Sequence, residues 1–143
     1  MSEKQLSVKV ITPTGILLED TCDAVYSTSE DGMFGVLPDH IPMTITLGVG
    51  LTKIVKGKEE RFLTSLGGIF QVKDNNVIIL SDNAEFGEDI DVARANAEKE
   101  RAEALLAEHT ADEATITVAQ ISLAKALARL KVALKSNRNN INY

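Results

Sequence analysis

The sequence predicts a β + α chain: a sheet domain of sandwich or barrel-like type, followed by an antiparallel hairpin of two helices. Three observations predict it. Up to about Asp89, Gly, Pro, Val, Ile and Thr punctuate short runs. Beyond Asp89 there is no Gly and no Pro, and Ala, Glu, Lys, Arg and Leu dominate. The first texture favours strands and turns, the second helices. The apolar rhythm also changes, from alternation in the first part to a near-heptad repeat in the last helical run. The boundary is expected at residues 86–90, separating a domain 1–87 from a domain 88–143.

In the first part, Leu6, Val8 and Val10 alternate with Ser7 and Lys9, as in a half-buried strand. Pro13-Thr14-Gly15 reads as a turn, since Pro presets φ and Gly accepts positive φ. Ala24 to Thr28 is the next strand, closed by Ser29-Glu30-Asp31-Gly32. Gly48-Val49-Gly50 reads as a turn or a sheet kink. Leu51 to Lys56 and Arg61 to Leu66 flank Gly57-Lys58-Glu59-Glu60, a hairpin signal. Gly67-Gly68 interrupts the chain before Ile69 to Val72; Asp74-Asn75-Asn76 turns into the buried strand Val77 to Leu80. Many short strands at this spacing suggest a sandwich or barrel-like sheet.

The second part reads as one helix from about Asp91 to His109, capped by Asp89 or Asp91, whose carboxylates accept bonds from the first-turn N–H groups. His109-Thr110-Ala111-Asp112 is the expected bend. A second helix runs to about Ser136, with Asn137 to Tyr143 polar and frayed. Leu123, Leu127, Leu130 and Leu134 form one apolar stripe on it. Ala97 and Ala104, facing Ala119 and Ala126, would let the two backbones approach closely. So little core leaves the hairpin dependent on the sheet domain or a partner, with more than one docking site expected.

Composition excludes several classes. Fifteen Lys+Arg against 21 Asp+Glu leave a net charge of −6, the wrong sign for holding nucleic acid. The single Cys, Cys22, permits no internal disulfide and suits a reducing compartment. Apolar runs fall short of the roughly 20 residues that cross a bilayer, so no direct membrane insertion is expected. The start Met1-Ser2-Glu3-Lys4 shows no signal peptide. His40 and His109 stand apart from any carboxylate or Cys pattern, and acidic neighbours disfavour a Cys22 thiolate. No metal-ligand spacing, phosphate-cradling loop or nucleophile–base set is present, so no enzyme activity of the chain's own is expected.

Five segments carry a family resemblance. Met33-Phe34-Gly35-Val36-Leu37-Pro38-Asp39-His40-Ile41-Pro42 resembles the Gly-Ile-Leu-Pro-Gly-His-Ala-Pro signature of ATP synthase epsilon subunits. Ser65 to Val72 resembles that family's Ser-Gly-Gly-Phe/Ile-Leu-Glu-Val segment, and Val77 to Leu80 its Val-Thr-Val-Leu strand. Glu88 to Ala95 resembles the motif that opens the first helix, and Ala124 to Leu130 the second helix. They occur in the family's order and span nearly the whole chain.

The resemblance implies an N-terminal flattened β-sandwich followed by a C-terminal antiparallel two-helix hairpin. It implies a non-catalytic central-stalk subunit of a proton-translocating F-type ATP synthase. Such a subunit couples ion flow to ATP synthesis and restrains ATP hydrolysis through the hairpin. Its implied partners are the gamma subunit, the membrane-embedded c-ring and, with the hairpin extended, the alpha/beta catalytic head. With no transit peptide visible, its expected location is peripheral, on the cytoplasmic face of the bacterial cell membrane; a plastid-encoded homologue would look similar. The stalk and ring contacts fall on Met33, Phe34, Val36, Leu37, Pro38, His40, Ile41 and Pro42, a stiff loop rich in apolar residues. The same loop can also be read as a core-crossing turn. The family often carries an acidic residue before the signature Gly where this chain has Met33-Phe34; Glu30 and Asp31 stand nearby. Without the ordered motifs, the layout equally fits a generic sandwich-and-hairpin adaptor of another assembly.

Some bacterial members bind ATP in the folded-down hairpin through Ile/Leu-Asp-x-x-Arg-Ala, and Ile90-Asp91-Val92-Ala93-Arg94-Ala95 matches this motif in full. Glu85, Asp91, Arg94, Ala95, Arg101 and Arg129 fall at the family's matching positions, and Lys125 stands where those members have Arg. Arg94 and Arg101 share one helix face, and Lys125 and Arg129 another. If the faces meet, four cations surround one volume suited to a polyphosphate, with Asp91 and Glu85 accepting bonds from adenine or ribose. No cofactor is required; ATP would be a regulatory ligand. The competing reading is ordinary surface pairing of Arg94 and Arg101 with Glu98, worth roughly 0.2–0.5 kcal/mol per pair.

Overall fold

The computed structural model describes residues 4–108 and 111–141, the last four by backbone alone. Eight strands come first: β1 (Leu6–Thr12), β2 (Gly15–Cys22), β3 (Ala24–Ser29), β4 (Gly32–Val36), β5 (Met43–Lys56), β6 (Glu59–Lys73), β7 (Asn76–Leu80) and β8 (Ala84–Phe86). A 3-10 turn at Gly87–Asp89 leads to α1 (Val92–Ala107) and α2 (Glu113–Ile141). The strand order is β2-β1-β7-β6-β5-β3-β4, with β8 paired to β6. All pairings are antiparallel except β1 with β7.

The sheet folds over into a sandwich whose aliphatic core draws on both ends of the strand order. Leu6, Val8 and Val10 of β1 and Val77 and Ile79 of β7 join Val25 of β3, Val36 of β4 and Leu47 and Ile54 of β5. Phe70 is completely buried and meets Phe34 edge-on at 4.9 Å. A buried hydroxyl ladder runs across the neighbouring strands β3, β5 and β6: Ser27 Oγ and Thr52 Oγ1 are 2.7 Å apart, and Thr52 Oγ1 donates to Ser65 Oγ at 3.2 Å. Polar groups can be buried there because each has a partner.

Several sequence expectations change. β5 and β6 run unbroken through Gly48 to Gly50 and through Gly67-Gly68. The turn alternative at Gly48 therefore gives way to an in-strand site: a Cβ there would lie 2.9 Å from the Ser29 carbonyl oxygen. Gly67 and Gly68 carry φ of 90° and 125°, which only glycine adopts without strain. β2, β4 and β8 are strands where no strand was expected. β4 absorbs Met33 to Val36, so the expected stiff loop shortens to Leu37–Pro42.

In the helical part, Asp91 is the cap: its Oδ1 accepts the Arg94 N–H at 3.0 Å. His109 and Thr110 of the expected bend lie outside the described residues. α2 continues past Ser136 to Ile141, so the frayed end expected from Asn137 is helical that far. The helices meet through alanine, but on α1 the seam is Ala95 and Ala102; Ala97 and Ala104 face solvent. Ala119 and Ala126 complete it on α2, as expected. The leucine stripe is not the buried face: Leu127 and Leu134 are about half exposed, and Leu123 and Leu130 intermediate. α2 instead docks on the sandwich through Val132 and Ala133, which cluster with Leu51, Phe62 and Ile90.

Candidate functional site

The cleft between sandwich and hairpin is built from three elements. β8 is short, but Thr64 pins it: the Thr64 and Glu85 backbones pair, and Thr64 Oγ1 accepts the Glu85 N–H at 3.0 Å. This aims the Glu85 carboxylate at α2, where Arg129 Nε donates to Glu85 Oε1 at 3.0 Å. Arg129 Nη1 donates to Glu98 Oε2 on α1 at 3.2 Å, and the other Glu98 oxygen accepts from Arg94 Nε at 3.1 Å. The Arg129 side chain is 19% exposed, so this clasp is better shielded than an ordinary surface pair. It ties sandwich, α1 and α2 together.

Two cavities flank the clasp. One, of about 280 Å³, is lined by Asn83, Glu85, Asp89, Asp91, Arg94, Ala95, Glu98 and Arg129. The other, of about 210 Å³, lies between the helices and is lined by Arg101, Lys125 and Arg129 together with Glu98, Ser122 and apolar residues such as Leu105 and Val118. The expectation of four cations around one volume is corrected: Arg94 lines the first cavity, Arg101 and Lys125 the second, Arg129 both, and Glu98 stands between them. Among the described residues, neither Arg101 nor Lys125 takes part in an ion pair. Ile90 lines neither cavity and belongs to the apolar cluster beneath α2. Sequence reasoning saw Glu98 only as an ion-pair partner on its own helix; its bond to Arg129 depends on how the helices pair.

The loop residues also separate. Met33, Leu37, Ile41 and Pro42 are exposed, whereas Val36 is fully buried and Phe34 packs against the core. Val36 therefore serves the sandwich interior and is not part of a contact surface. Pro38 and His40 are half-buried, His40 Nδ1 lying 2.7 Å from the Ile41 carbonyl. The loop is held by Asp39, whose N–H donates to Asn75 Oδ1 at 2.6 Å and whose carboxylate takes Lys4 Nζ at 2.8 Å.

A second exposed surface was absent from the sequence reading. Ile16, Ile11, Leu80 and Ile69 are successive register partners across β2, β1, β7 and β6. All but the half-buried Ile11 are 46–56% exposed, giving an apolar rung four strands wide on the outer face. Alternation around Ile11 on β1 was visible in the sequence, but the rung needs the parallel β1–β7 pairing. No described helix is long and apolar enough to cross a membrane.

Fold and cleft together define a two-domain protein, a β-sandwich closed by a helical hairpin. Residues 5–87 match the family described as ATP synthase, Delta/Epsilon chain, beta-sandwich domain, and residues 88–133 match its long alpha-helix domain. The chain belongs to the ATP synthase delta/epsilon chain family. It is 42% identical to the ATP synthase epsilon chain of Syntrophobacter fumaroxidans over 95% of this chain and 100% of that one. It is 40% identical to that of Nitratidesulfovibrio vulgaris over 91% and 96%. Among solved structures, it resembles a chain in the cryo-EM structure of the Euglena gracilis mitochondrial ATP synthase, OSCP/F1/c-ring in rotational state 1. That likeness has a TM-score of 0.80 at 24% identity, over 91% of this chain and 81% of that one, and it concerns the fold.

Proposed function

We propose that the chain is a non-catalytic central-stalk subunit that couples proton flow to ATP synthesis and whose hairpin restrains ATP hydrolysis. Family membership supports the assembly, and the exposed apolar surfaces support the coupling role. An apolar rung such as Ile16–Ile11–Leu80–Ile69 on a sheet face is a protein-contact surface; the gamma subunit is its proposed partner. Met33, Leu37, Ile41 and Pro42 are proposed to face the c-ring. The subunit is then peripheral, on the cytoplasmic face of the bacterial membrane through the complex. Co-purification with gamma, lost in Leu80→Asp and kept in a hairpin-deleted chain, supports this reading. No association with gamma would favour a generic adaptor instead.

The hairpin cleft is proposed to bind ATP as a regulatory ligand that keeps the hairpin folded down. The observation that carries this is the meeting of Arg129 with Arg101 and Lys125, two cations without an ion pair among the described residues, in one cavity adjoining a second lined by Asp91 and Glu85. Together the cavities reach the lower range of small-molecule sites, roughly 300 Å³ upward. Guanidinium groups grip phosphate oxygens bidentately, while Asp91 and Glu85 accept from adenine or ribose. A calorimetric titration with ATP tests it: saturable binding to the full chain, lost in Arg94→Ala and Arg129→Ala, is expected. Absence of binding at millimolar ATP would reduce the cluster to surface pairing and leave the stalk role intact.

A further inference from the structure

Glu98 stands between the two cavities, among the cations that line them. Its two carboxylate oxygens face two different guanidinium groups, Arg94 at 3.1 Å and Arg129 at 3.2 Å, and its side chain is 27% exposed. It is also the residue that, with Arg129, lines both cavities. A polyphosphate spanning the cleft needs those same donors. With Glu98 in place, two of the four cations are already engaged by one carboxylate, and its charge repels the incoming phosphates.

We infer that Glu98 is a resident anion that competes with nucleotide phosphates for Arg94 and Arg129 and so sets the nucleotide concentration at which the cleft fills. The inference rests on the nucleotide reading of the cleft. Without ligand, Glu98 supplies the second bond of the Arg129 clasp and holds α1 to α2. With ligand, its side chain turns toward solvent and the phosphates take over its two guanidinium partners. Glu98 thus holds the folded hairpin through one bond to Arg129 without ligand, and bound phosphates, with more charge and more acceptor oxygens, hold it more firmly.

Two consequences separate this role from a merely structural one. Removing the Glu98 charge should tighten nucleotide binding, whereas losing a packing or positioning residue would weaken it. The gain should also grow with ligand charge, since the competition is for phosphate. The test is titration of the full chain and its Glu98→Gln and Glu98→Ala variants with ATP, AMP and inorganic tripolyphosphate. Glu103→Gln, at an exposed α1 position, controls for net charge. Expected is an affinity for ATP and tripolyphosphate raised roughly tenfold, equivalent to about 1.4 kcal/mol, in both Glu98 variants. A smaller gain is expected for AMP and little change in Glu103→Gln. Spin labels on the sandwich and α2 should report a looser hairpin in ligand-free Glu98→Ala that ATP restores. Wild-type binding that is unchanged or weakened in the Glu98 variants would overturn the inference and leave the nucleotide reading standing. Failure of every variant to bind at millimolar ligand would overturn both. Binding gained only when Glu98 is replaced would support the inference most directly.

Discussion

Ser136 of α2 rests on Gly87, and a Cβ built at Gly87 would overlap the Ser136 Oγ and lie 2.8 Å from the Val132 carbonyl oxygen. Because one obstacle is helix backbone, a side-chain rotation cannot clear it. Gly87→Ala should therefore push α2 off the sandwich at a cost of about 1–3 kcal/mol to docking. Longer label-to-label distances between β5 and α2, with the sandwich still folded, are the expected result; an unchanged distance would show that the helix glides over the extra methyl.

The alanine seam and the leucine stripe make opposite predictions. Ala126 is completely buried between the helices, so Ala126→Leu should overpack them and destabilise the hairpin by about 1–3 kcal/mol. Leu127 and Leu134 are half exposed, and replacing either with Ala should change the stability of the isolated chain by less than about 0.5 kcal/mol. Urea unfolding followed by helical circular dichroism measures both. A large loss in Leu127→Ala would mean the stripe is buried in the isolated chain after all.

Cys22 is fully buried, and its thiol pKa is pushed up to about 11, first by burial and then by the charge of Asp23. The native protein should resist iodoacetamide near neutral pH and react once unfolded. The folded state holds this proton more tightly than the unfolded chain, whose ordinary value is 9.0. The associated stability is complete below pH 9 and is lost as pH rises toward about 11. Rapid labelling of native protein at pH 8 would contradict the burial.

Asp23 has the opposite sign. The Gly57 N–H at 2.6 Å and then Gln5 Nε2 at 3.2 Å donate to its carboxylate and hold its pKa below the ordinary 3.8. Its stabilisation is present above that ordinary value and is lost as pH falls through the lowered native one. Asp23→Asn does not titrate, so its stability should fall less steeply on acidification than the wild type's. Urea midpoints collected from about pH 7 to about pH 2.5 decide this, and parallel acid limbs would remove Asp23 from the account.

The strands that sequence reading missed lack a clear local pattern, for two different reasons. β2 exposes most of its residues and shows no clean alternation. On β4, the exposed apolar Met33 hides the alternation of inward Phe34 and Val36, and outward Gly35 leaves room for the Tyr26 ring 2.7 Å from where a Cβ would stand. β8 has three residues and exists because Thr64 on β6 pairs with it. β2 and β4 are edge strands that pair only with their sequence neighbours β1 and β3, so little of them is buried and their pattern is weak; β8 alone depends on a strand distant in sequence, of which a local pattern carries no record.

By itself the sequence determined the division into a strand-rich and a helical part, the turns at Pro13 and Asn75, a helix cap at Asp89 or Asp91 and the family, because these rest on local propensity and on motifs read in order. Ala119 and Ala126 at the seam were legible too; tertiary structure alone decided that α1 closes through Ala95 and Ala102 and that the α2 leucines stay largely outside. Hydrophobicity favoured the leucines, but two helices that approach closely need alanine at the seam, and α2 spends its remaining contact face, Val132 and Ser136, on the sandwich. It also decided that Arg129 meets Glu85 and Glu98 from two other elements, so the four cations divide around a carboxylate. Residues 44 and 31 positions away from Arg129 become its partners only when the sheet folds over and the hairpin closes.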